Sequence, residues 1–452
     1  MVKDTVSTSR PSVCVVGGGP AGLVLGLLLA RAGVPVTVLE KHADFLRDFR
    51  GDTVHASTLT LLDELGLAEE FAALPQRRVD RAQVELDAGT ATVADLSRLP
   101  GPHRHIALVP QWDLLELLAR TAAAEPTFAL RRNAEVVGLL RASGGSDSAV
   151  TGVRYRDRTD GGEHLLAADL TVACDGRDSA VRRSAGLRPR VFGVPMDVEW
   201  FRLPREPDDP AGLVGRVSRG EMAVMIDRGD YWQCAYLVRK GGDAELRARP
   251  VTELQQRFTA LLPWLGDRTS ALHGWDDVRL LVVSLNRLRR WYRDGLLLVG
   301  DAAHAMSPVG GVGINLAVQD AVAAARLLAP VLRRGATPDR ADLRRVQLRR
   351  WWPTAAIQTA QRIAHRLVVR PALAASAADR THPGPRLPLG LRVLDRFPAL
   401  QGLPARLIAI GPLPEHAPTW ARRTGPASAG LAHSAPAPPT ELAARRAWRR
   451  SR

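Results

Sequence analysis

The sequence predicts an α/β protein: a doubly wound sheet, interrupted by an inserted β-sheet domain and followed by a C-terminal helical region. Three observations predict it. A strand, a glycine-rich turn, a helix and a second strand follow one another between Ser12 and Glu40. Two later apolar strands each run into an Asp-Gly or Gly-Asp turn, in the stretches 168–187 and 295–329. Between those two stretches lies a series of strand-like runs over 197–285.

With 452 residues, 46% of them hydrophobic, the chain can bury two or three domains. Its formal charge of +15 invites a nucleic-acid reading, but the makeup of that charge argues against one. Only Lys3, Lys41 and Lys240 are lysines, so the charge is Arg in an Ala-, Gly- and Pro-rich chain, the mark of base-composition bias. The stretch 421–452 alone has seven Arg and one acid, Glu441, and holds +6 of the total. No nucleic-acid partner is expected; a basic mouth that attracts an anionic cofactor or substrate is. Cys14, Cys174 and Cys234 form no CxxC pair and no metal-ligand spacing, so no metal is expected and a reducing, cytoplasmic location is. The opening MVKDTVSTSR lacks the apolar core of a signal peptide. The longest apolar run, from Ala21 to Ala30, is too short to span a bilayer, so no transmembrane segment is expected.

The N-terminal unit is Rossmann-like. Ser12 to Val16 reads as a buried strand, Gly17 to Gly22 as the turn GGGPAG, the residues to about Ala32 as a helix, and Pro35 to Leu39 as the second strand. Gly17 makes the tight turn, Gly19 lets the backbone approach a pyrophosphate, and Gly22 permits close helix–strand packing. Pro20 and Ala21 complete the turn, and the helix start offers free N–H groups to phosphates. Glu40, 23 residues after Gly17, stands where an acid binds the adenosine ribose, with Lys41 beside it. This fingerprint alone does not separate FAD from NAD.

The second signal is ADLTVACDGRDSAVRRSAGL: a strand from Leu170 to Cys174 ends in Asp175-Gly176, with Ser179 and Arg182 following. The third is GLLLVGDAAHAMSPVGGVGINLAVQDAVAAARLLA: a strand from Leu296 to Val299 runs into Gly300-Asp301, then a Gly-rich loop, then a helix from about Gly313 containing Asn315 and Asp320.

These three motifs, in this order and spacing, resemble the FAD-binding monooxygenases of the p-hydroxybenzoate hydroxylase type, the group A flavoprotein monooxygenases, over Pro11 to about Arg366. The resemblance implies FAD as the bound cofactor and NAD(P)H as a transient co-substrate. It assigns Asp301 to a ribityl hydroxyl. It lays Gly300, Gly311, Gly313, Ile314 and Asn315 along the cofactor, and places Pro308 beside the reactive edge of the flavin. Pro308 and Gly313 are therefore the flavin-environment residues named as catalytic, the helix start near Gly313 being suited to negative charge on reduced flavin. Asp175 belongs to the family's DG motif, which serves both FAD and NAD(P)H. Arg177 replaces a residue that is often small there, so its role is open; Arg182 is either functional or structural. In DFRGDTVHASTLTLLDELGL, Arg50 matches the family's FAD-contacting Arg, Asp48 stands where the name-giving enzyme has another Arg, and Ala56 where Pro is common. Gln111, opening PQWDLLELLARTA, matches a contact to the ribityl or phosphate region.

The runs DVEWFRL (197–203), EMAVMID (221–227), YWQCAYLV (231–238) and VRLLVVSL (278–285) read as strands, with Arg228-Gly229-Asp230 as a hairpin turn. In the family such a sheet roofs the flavin and holds the substrate. Alternation puts Tyr231, Gln233, Ala235 and Leu237 on one face and Trp232, Cys234, Tyr236 and Val238 on the other, without saying which lines a pocket. Met222 and Met225 fall on opposite faces. The name-giving enzyme activates its phenol through tyrosines, one of them late in the chain. This chain has four Tyr and none after Tyr292, so that network does not carry over. Tyr231, Tyr236, His103 and His105 are the speculative replacements, each more simply read as core or surface.

The expected division is a FAD-binding domain over 11–82, 105–186 and 286–370, the last part including a long helix. A substrate domain takes 83–104 and, as a β-sheet, 187–285; a helical or irregular region covers 371–423 and a disordered basic tail 424–452. The long helix is expected from Leu343 to Arg370 with a kink at Pro353, and Pro404, Pro412 and Pro414 forbid long helices beyond it. Glu441 to Arg452 reads as a solvated tail rather than a membrane-touching helix.

These readings converge on an NAD(P)H-consuming, FAD-dependent monooxygenase that hydroxylates a small aromatic or polyketide-like compound with dioxygen through a flavin hydroperoxide, as monomer or homodimer. One dinucleotide fingerprint and no second fits a coenzyme that binds transiently, and no nucleophile is needed. Open alternatives are a reductase or saturase, or a halogenase, on the same fold, although no WxWxIP-like segment occurs; from other classes, a non-catalytic flavin- or nucleic-acid-binding protein. Hydroxylation, epoxidation and Baeyer–Villiger insertion are equally open, as is NADH against NADPH.

Overall fold

The computed structural model describes residues 12–46, 53–87, 89–143, 145, 148–218, 220–374 and 389–423. Arg50, Asp48 and the tail from 424, with the readings attached to them, lie outside the described residues.

The first sheet has six strands in the order 292–293, 296–298, 170–173, 13–16, 36–39, 128–131. All neighbours are parallel except the edge pair 292–293 and 296–298. The strands Val13–Val16, Val36–Leu39, Leu170–Ala173 and Leu296–Leu298 are buried at every position. That is why they are written almost wholly in apolar residues, Thr37 and Thr171 being the exceptions: helices cover both faces of a parallel sheet. The helices Pro20–Arg31 and Gly313–Leu332 pack on each other over this sheet, joining Leu23, Leu27, Val318 and Val322 in its main core. Val309–Leu332 is long and apolar enough to cross a membrane, but 78% of its apolar window is buried against the protein.

The second sheet has seven strands in the order 279–281, 196–204, 231–239, 221–227, 213–218, 81–86, 89–95. Two distant stretches of chain thus meet in one sheet, through the parallel pair 213–218 and 81–86. Gly229 closes the expected hairpin with φ +96, and the Arg228 N–H donates to the Tyr231 carbonyl at 3.0 Å. The run 278–285 is not one strand, as expected, but two. Arg279–Leu281 stays in the sheet, and Leu285–Arg287 leaves to pair with Arg190–Phe192. The break has a cause: the Val283 N–H donates to Asp197 Oδ1 at 2.8 Å rather than to a strand.

The sheet's two faces are now distinguishable. Trp232, Cys234, Tyr236 and Val238 lie under the helix Val251–Leu261, against Leu254 and Phe258. Ala235 and Leu237 face the other way, with Met196, Val198, Val309 and Val369. Met225 joins the side under that helix and Met222 the opposite, loop-facing side.

The long helix spans Arg340–Ala364 and starts on a reciprocal cap: the Asp342 N–H donates to Asp339 Oδ1 at 2.9 Å and the Asp339 N–H to Asp342 Oδ2 at 3.3 Å. It begins earlier than expected, contains Pro353, and passes into an irregular turn at His365–Val369. Beyond it, Leu389–Arg396 and Gly402–Ala409 are short helices, and Ala405 and Ala409 of the second pack on Ala56, Ala94 and Leu96.

Candidate cofactor and substrate site

The ends of the parallel strands bring the three motifs together, at the sheet edge where such folds take ligands. Gly17 adopts φ +103, and a Cβ there would sit 2.5 Å from the Cys174 carbonyl. A Cβ on Gly22 would fall 1.9 Å from the Gly17 carbonyl, so the helix rests directly on the turn. A Cβ on Gly19 would meet nothing within 4 Å: the backbone there faces open space, as a cradle for a pyrophosphate requires. Pro20 opens the helix and Ala21 is buried in it. Glu40 is buried at the end of its strand, Oε2 accepting the Gly18 N–H at 2.8 Å and Oε1 the His42 N–H at 3.0 Å. Lys41 is exposed beside it.

Asp175 accepts the Val181 N–H on Oδ2 at 3.1 Å, while its buried Oδ1 has no protein partner. Burial pushes its carboxyl up, against the opposing pull of Ser179, Val181 and Arg182. Arg182 donates to the carbonyls of Ala302, at 2.9 Å, and Arg177, so it staples the second motif to the third. Arg177 acquires a clear place as well: its Nε donates to Asp301 Oδ2 at 3.0 Å.

In the third motif the Gly300 N–H donates to Asp320 Oδ2 at 3.1 Å, and His304 Nε2 lies 2.6 Å from the same oxygen. Arg350, from the long helix, donates to Asp320 Oδ1 at 3.0 Å. Burial alone would raise the Asp320 carboxyl; His304, Arg350 and the Gly300 N–H outweigh it and hold it below its ordinary value. Arg350 escapes sequence reading because its partner is 30 residues away on another helix.

The loop between Gly300 and Gly313 carries Pro308. It is clamped from the same long helix: Gln361 Nε2 donates to the Ser307 and Val309 carbonyls, each at 2.9 Å. On its other side, Thr53 Oγ1 donates to the Gly311 carbonyl at 2.9 Å. Gly311 has φ +63, and a Cβ on it would come within 2.6 Å of Thr53 Oγ1. His55 is fully buried against the same loop, hydrogen-bonded through Nδ1 to the Ile408 carbonyl at 2.9 Å, with Nε2 unpartnered. Burial drives its pKa down to about 4, so the ring is neutral. Gly313 and Ile314 begin the next helix, whose N-terminus has no side-chain cap and leaves its N–H groups for a ligand. Asn315 fixes that first turn by accepting Ser57 Oγ at 2.8 Å and Thr58 Oγ1 at 2.6 Å on one oxygen. Gln111 opens the helix Gln111–Ala123, where burial pushes Asp113 up to about 6. The open backbone at Gly19, the orphaned Asp175 oxygen and the uncapped helix start fit an FAD laid from pyrophosphate to ring.

The face of the seven-stranded sheet turned away from the helix Val251–Leu261 packs on Val309 of this loop and on Val369 and Leu373. Val198, Trp200, Met222, Val224, Ala235 and Leu237 share that face, since directly paired residues project the same way. Within this apolar surface the indole Nε1 of Trp200 is sheltered from solvent and has no hydrogen-bond partner. Trp200 was not singled out in the sequence, where only the strand was visible. Tyr236, a speculative proton partner, is on the covered face, its hydroxyl bonded to Glu221, and so does not reach this surface. Tyr231 is half-buried at the strand start under the Arg202 guanidinium, 4.6 Å from its ring centre. His103 is held by Asp63 at 2.6 Å, and the His105 ring lies 6.0 Å from it. Asp157, Asp160 and His164 bring ligand atoms within 4.8 Å of one another, but both carboxylates already accept turn N–H groups.

Comparison with known proteins agrees with this geometry. The family described as "FAD binding domain" matches residues 10–348. The chain is 36% identical over 328 residues to 6-methylpretetramide 4-monooxygenase of Streptomyces rimosus, covering 72% of this chain and 77% of that one. It is 32% identical over 327 residues to 12-dehydrotetracycline 5-monooxygenase/anhydrotetracycline 6-monooxygenase of Streptomyces rimosus subsp. rimosus, over 69% of this chain and 61% of that one. The fold superposes on the crystal structure of p-nitrophenol 4-monooxygenase from Pseudomonas putida with TM-score 0.69 and 22% identity, over 88% of this chain and 96% of that one.

Proposed function

The chain belongs to the FAD-binding-domain family and is an FAD-dependent monooxygenase of aromatic or polyketide compounds, and on that premise we propose that its substrate is a fused-ring aromatic polyketide and its reductant NAD(P)H. The observation that carries the substrate reading is the sheet face turned toward the Pro308 loop: an apolar surface of Val198, Val224, Ala235 and Leu237 that includes a sheltered donor without a partner, Trp200 Nε1. Such a surface suits a flat aromatic skeleton, and the orphaned indole N–H suits one of its carbonyl or phenol oxygens. The name of the 36% identical relative points to the same substrate class.

Bound FAD supplies the redox chemistry, accepting a hydride and activating dioxygen. The chain's own part is to bind, orient and exclude water. Glu40 and the 17–22 turn would hold the adenosine pyrophosphate end, and Asp301 and Asn315 organise the turns that would hold the rest. The uncapped helix start at Gly313 stabilises negative charge where the reduced ring would carry it. The sheet roofs the loop and keeps water from the reacting edge. A cytoplasmic location is part of this reading, its three cysteines being free thiols.

The test is turnover of FAD-loaded protein with NADPH or NADH, a panel of tetracyclic aromatic polyketides and simple phenols, and ¹⁸O₂. One ¹⁸O atom in a hydroxylated tetracyclic product, with slower turnover of single-ring phenols, is expected. Exclusive turnover of single-ring phenols would overturn the substrate assignment.

A further inference from the structure

A second cavity, of about 610 Å³, opens between the strand Arg190–Phe192, the strand Leu285–Arg287 and the helix Arg340–Ala364. Its lining includes no residue of the dinucleotide turn or of the loop-facing side of the seven-stranded sheet. Arg190, Phe192, Arg287, Gln347, Trp351 and Trp352 line it.

Its charge is unusual. Three guanidiniums surround the Phe192 ring, with Arg190 at 5.4 Å, Arg287 at 5.7 Å and Arg362 at 5.2 Å from its centre. Arg287 also lies over Trp351 at 4.5 Å. Among the described residues, none of the three has a carboxylate within 4.0 Å. Burial lowers the Arg287 pKa, and the like charges of Arg190 and Arg362 lower it further. Like charges gathered on a partly desolvated wall repel one another, and an anion relieves that repulsion. Guanidinium forks match phosphate oxygens in pairs, and guanidinium planes and indole faces stack on a planar base.

The cavity also adjoins the flavin loop. Phe192 packs against Met306 and Val312, which stand on either side of Pro308. Arg287 Nη1 donates to Gln358 Oε1 at 3.1 Å, and Gln358 Nε2 donates to the Ala305 carbonyl at 3.2 Å. A ligand here therefore sits against the wall of the loop that would carry the ring.

We propose that this cavity binds a phosphorylated nucleoside, with Arg190 and Arg287 on the phosphate, the charge of Arg362 behind the Phe192 ring adding to the attraction, and the Phe192–Trp351 wall on the base. The adenosine end of NAD(P)H is one source of that chemistry, and this source rests on the reductant proposed above. A free nucleotide is the other source.

The test uses the full chain loaded with FAD. Calorimetric titrations with 2′,5′-ADP, ADP, adenosine and inorganic phosphate are run separately on the parent protein and on Arg190→Ala, Arg287→Ala and Trp351→Ala. At least one nucleotide binds, its Kd rises about tenfold in each arginine variant, and adenosine and phosphate bind about tenfold more weakly than the nucleotide. If the coenzyme is the source, the half-saturating NADPH or NADH concentration for flavin reduction rises by the same factor. If a free nucleotide is the source, it does not move. Failure of both nucleotides to bind, or binding indifferent to both arginine variants, overturns the site. Phosphate binding as tightly as the nucleotide overturns the nucleoside part. A flavin that neither NADPH nor NADH reduces, in a protein whose nucleotide binding still falls in the arginine variants, sinks the reductant proposal and leaves the cavity standing.

Discussion

Arg177 donates through Nε to Asp301 Oδ2 at 3.0 Å, tying the turn after one central strand to the turn after the next. The contact engages one of the two oxygens of the carboxylate assigned to the ribityl chain and holds that carboxylate in place. Both side chains are 27% exposed, so the pair is screened and contributes only about 1 kcal/mol. Arg177→Ala is therefore expected to raise the Kd of the apoprotein for FAD about fivefold, read by flavin fluorescence. Tighter FAD binding in the variant would mean that the arginine competes with the cofactor for Asp301.

His55 makes the flavin loop sensitive to acid. Its buried ring titrates near pH 4, below the 6.5 of an exposed histidine. The unfolded chain therefore takes up a proton that the folded chain refuses. Stability from this site is complete above pH 6.5 and is lost as pH falls from 6.5 towards 4, by about 3 kcal/mol. Because His55 bonds the Ile408 carbonyl beside Gly311, FAD retention should fall in the same window. In His55→Asn, thermal melts across pH 4–7 should show a flatter acid limb; an unchanged limb would assign the acid sensitivity to other groups.

Asp320 is the centre of a fully buried network that holds Gly300, His304 and Arg350 at once. Replacing it by Ala leaves the Arg350 charge buried beside an unpaired histidine and an unpaired N–H. Such a loss costs about 3–5 kcal/mol, far more than the same change at the surface. Urea unfolding of Asp320→Ala should show that loss, with Asp320→Asn intermediate because its amide still accepts the Gly300 N–H. A cost below about 1 kcal/mol would mean that Glu415, which also reaches Arg350, carries the charge balance.

These residues show where the sequence is legible and where it is not. The central strands are readable because burial on both faces forces nearly continuous apolar runs, and each run stops at one of the three motifs. The 17–22 turn is readable because its glycines answer to local geometry. The Asp320–Arg350 pair, the Arg177–Asp301 pair and the parallel pairing of 213–218 with 81–86 join residues far apart in the chain. No local periodicity records such partners. The same limit hid the split of 278–285, which a distant Asp197 imposes. Alternation put Tyr236 and Ala235 on opposite faces correctly, but only the helix Val251–Leu261 decides which face is covered.

That decision separates two aromatic residues one strand apart. Trp200 presents a sheltered, unpartnered N–H on the loop-facing side; Tyr236 is sealed under the helix with its hydroxyl on Glu221. Trp200→Phe keeps most of the ring volume and removes the donor. A hydrogen bond of about 1–1.5 kcal/mol to the substrate then disappears, so kcat/KM for the hydroxylated compound should fall about tenfold. More reductant should also be consumed per product, because a loosely held substrate is missed by the oxygenating step. The visible spectrum of the bound flavin should not shift, since the indole lies on the sheet and not in the loop. Tyr236→Phe should lose stability instead, with kcat/KM within about twofold of the parent, because a buried hydroxyl–carboxylate bond is broken away from the pocket. The two variants are a joint test of the face assignment: if Tyr236→Phe abolishes turnover in a folded, flavin-loaded protein while Trp200→Phe is silent, the substrate lies on the other side of the sheet.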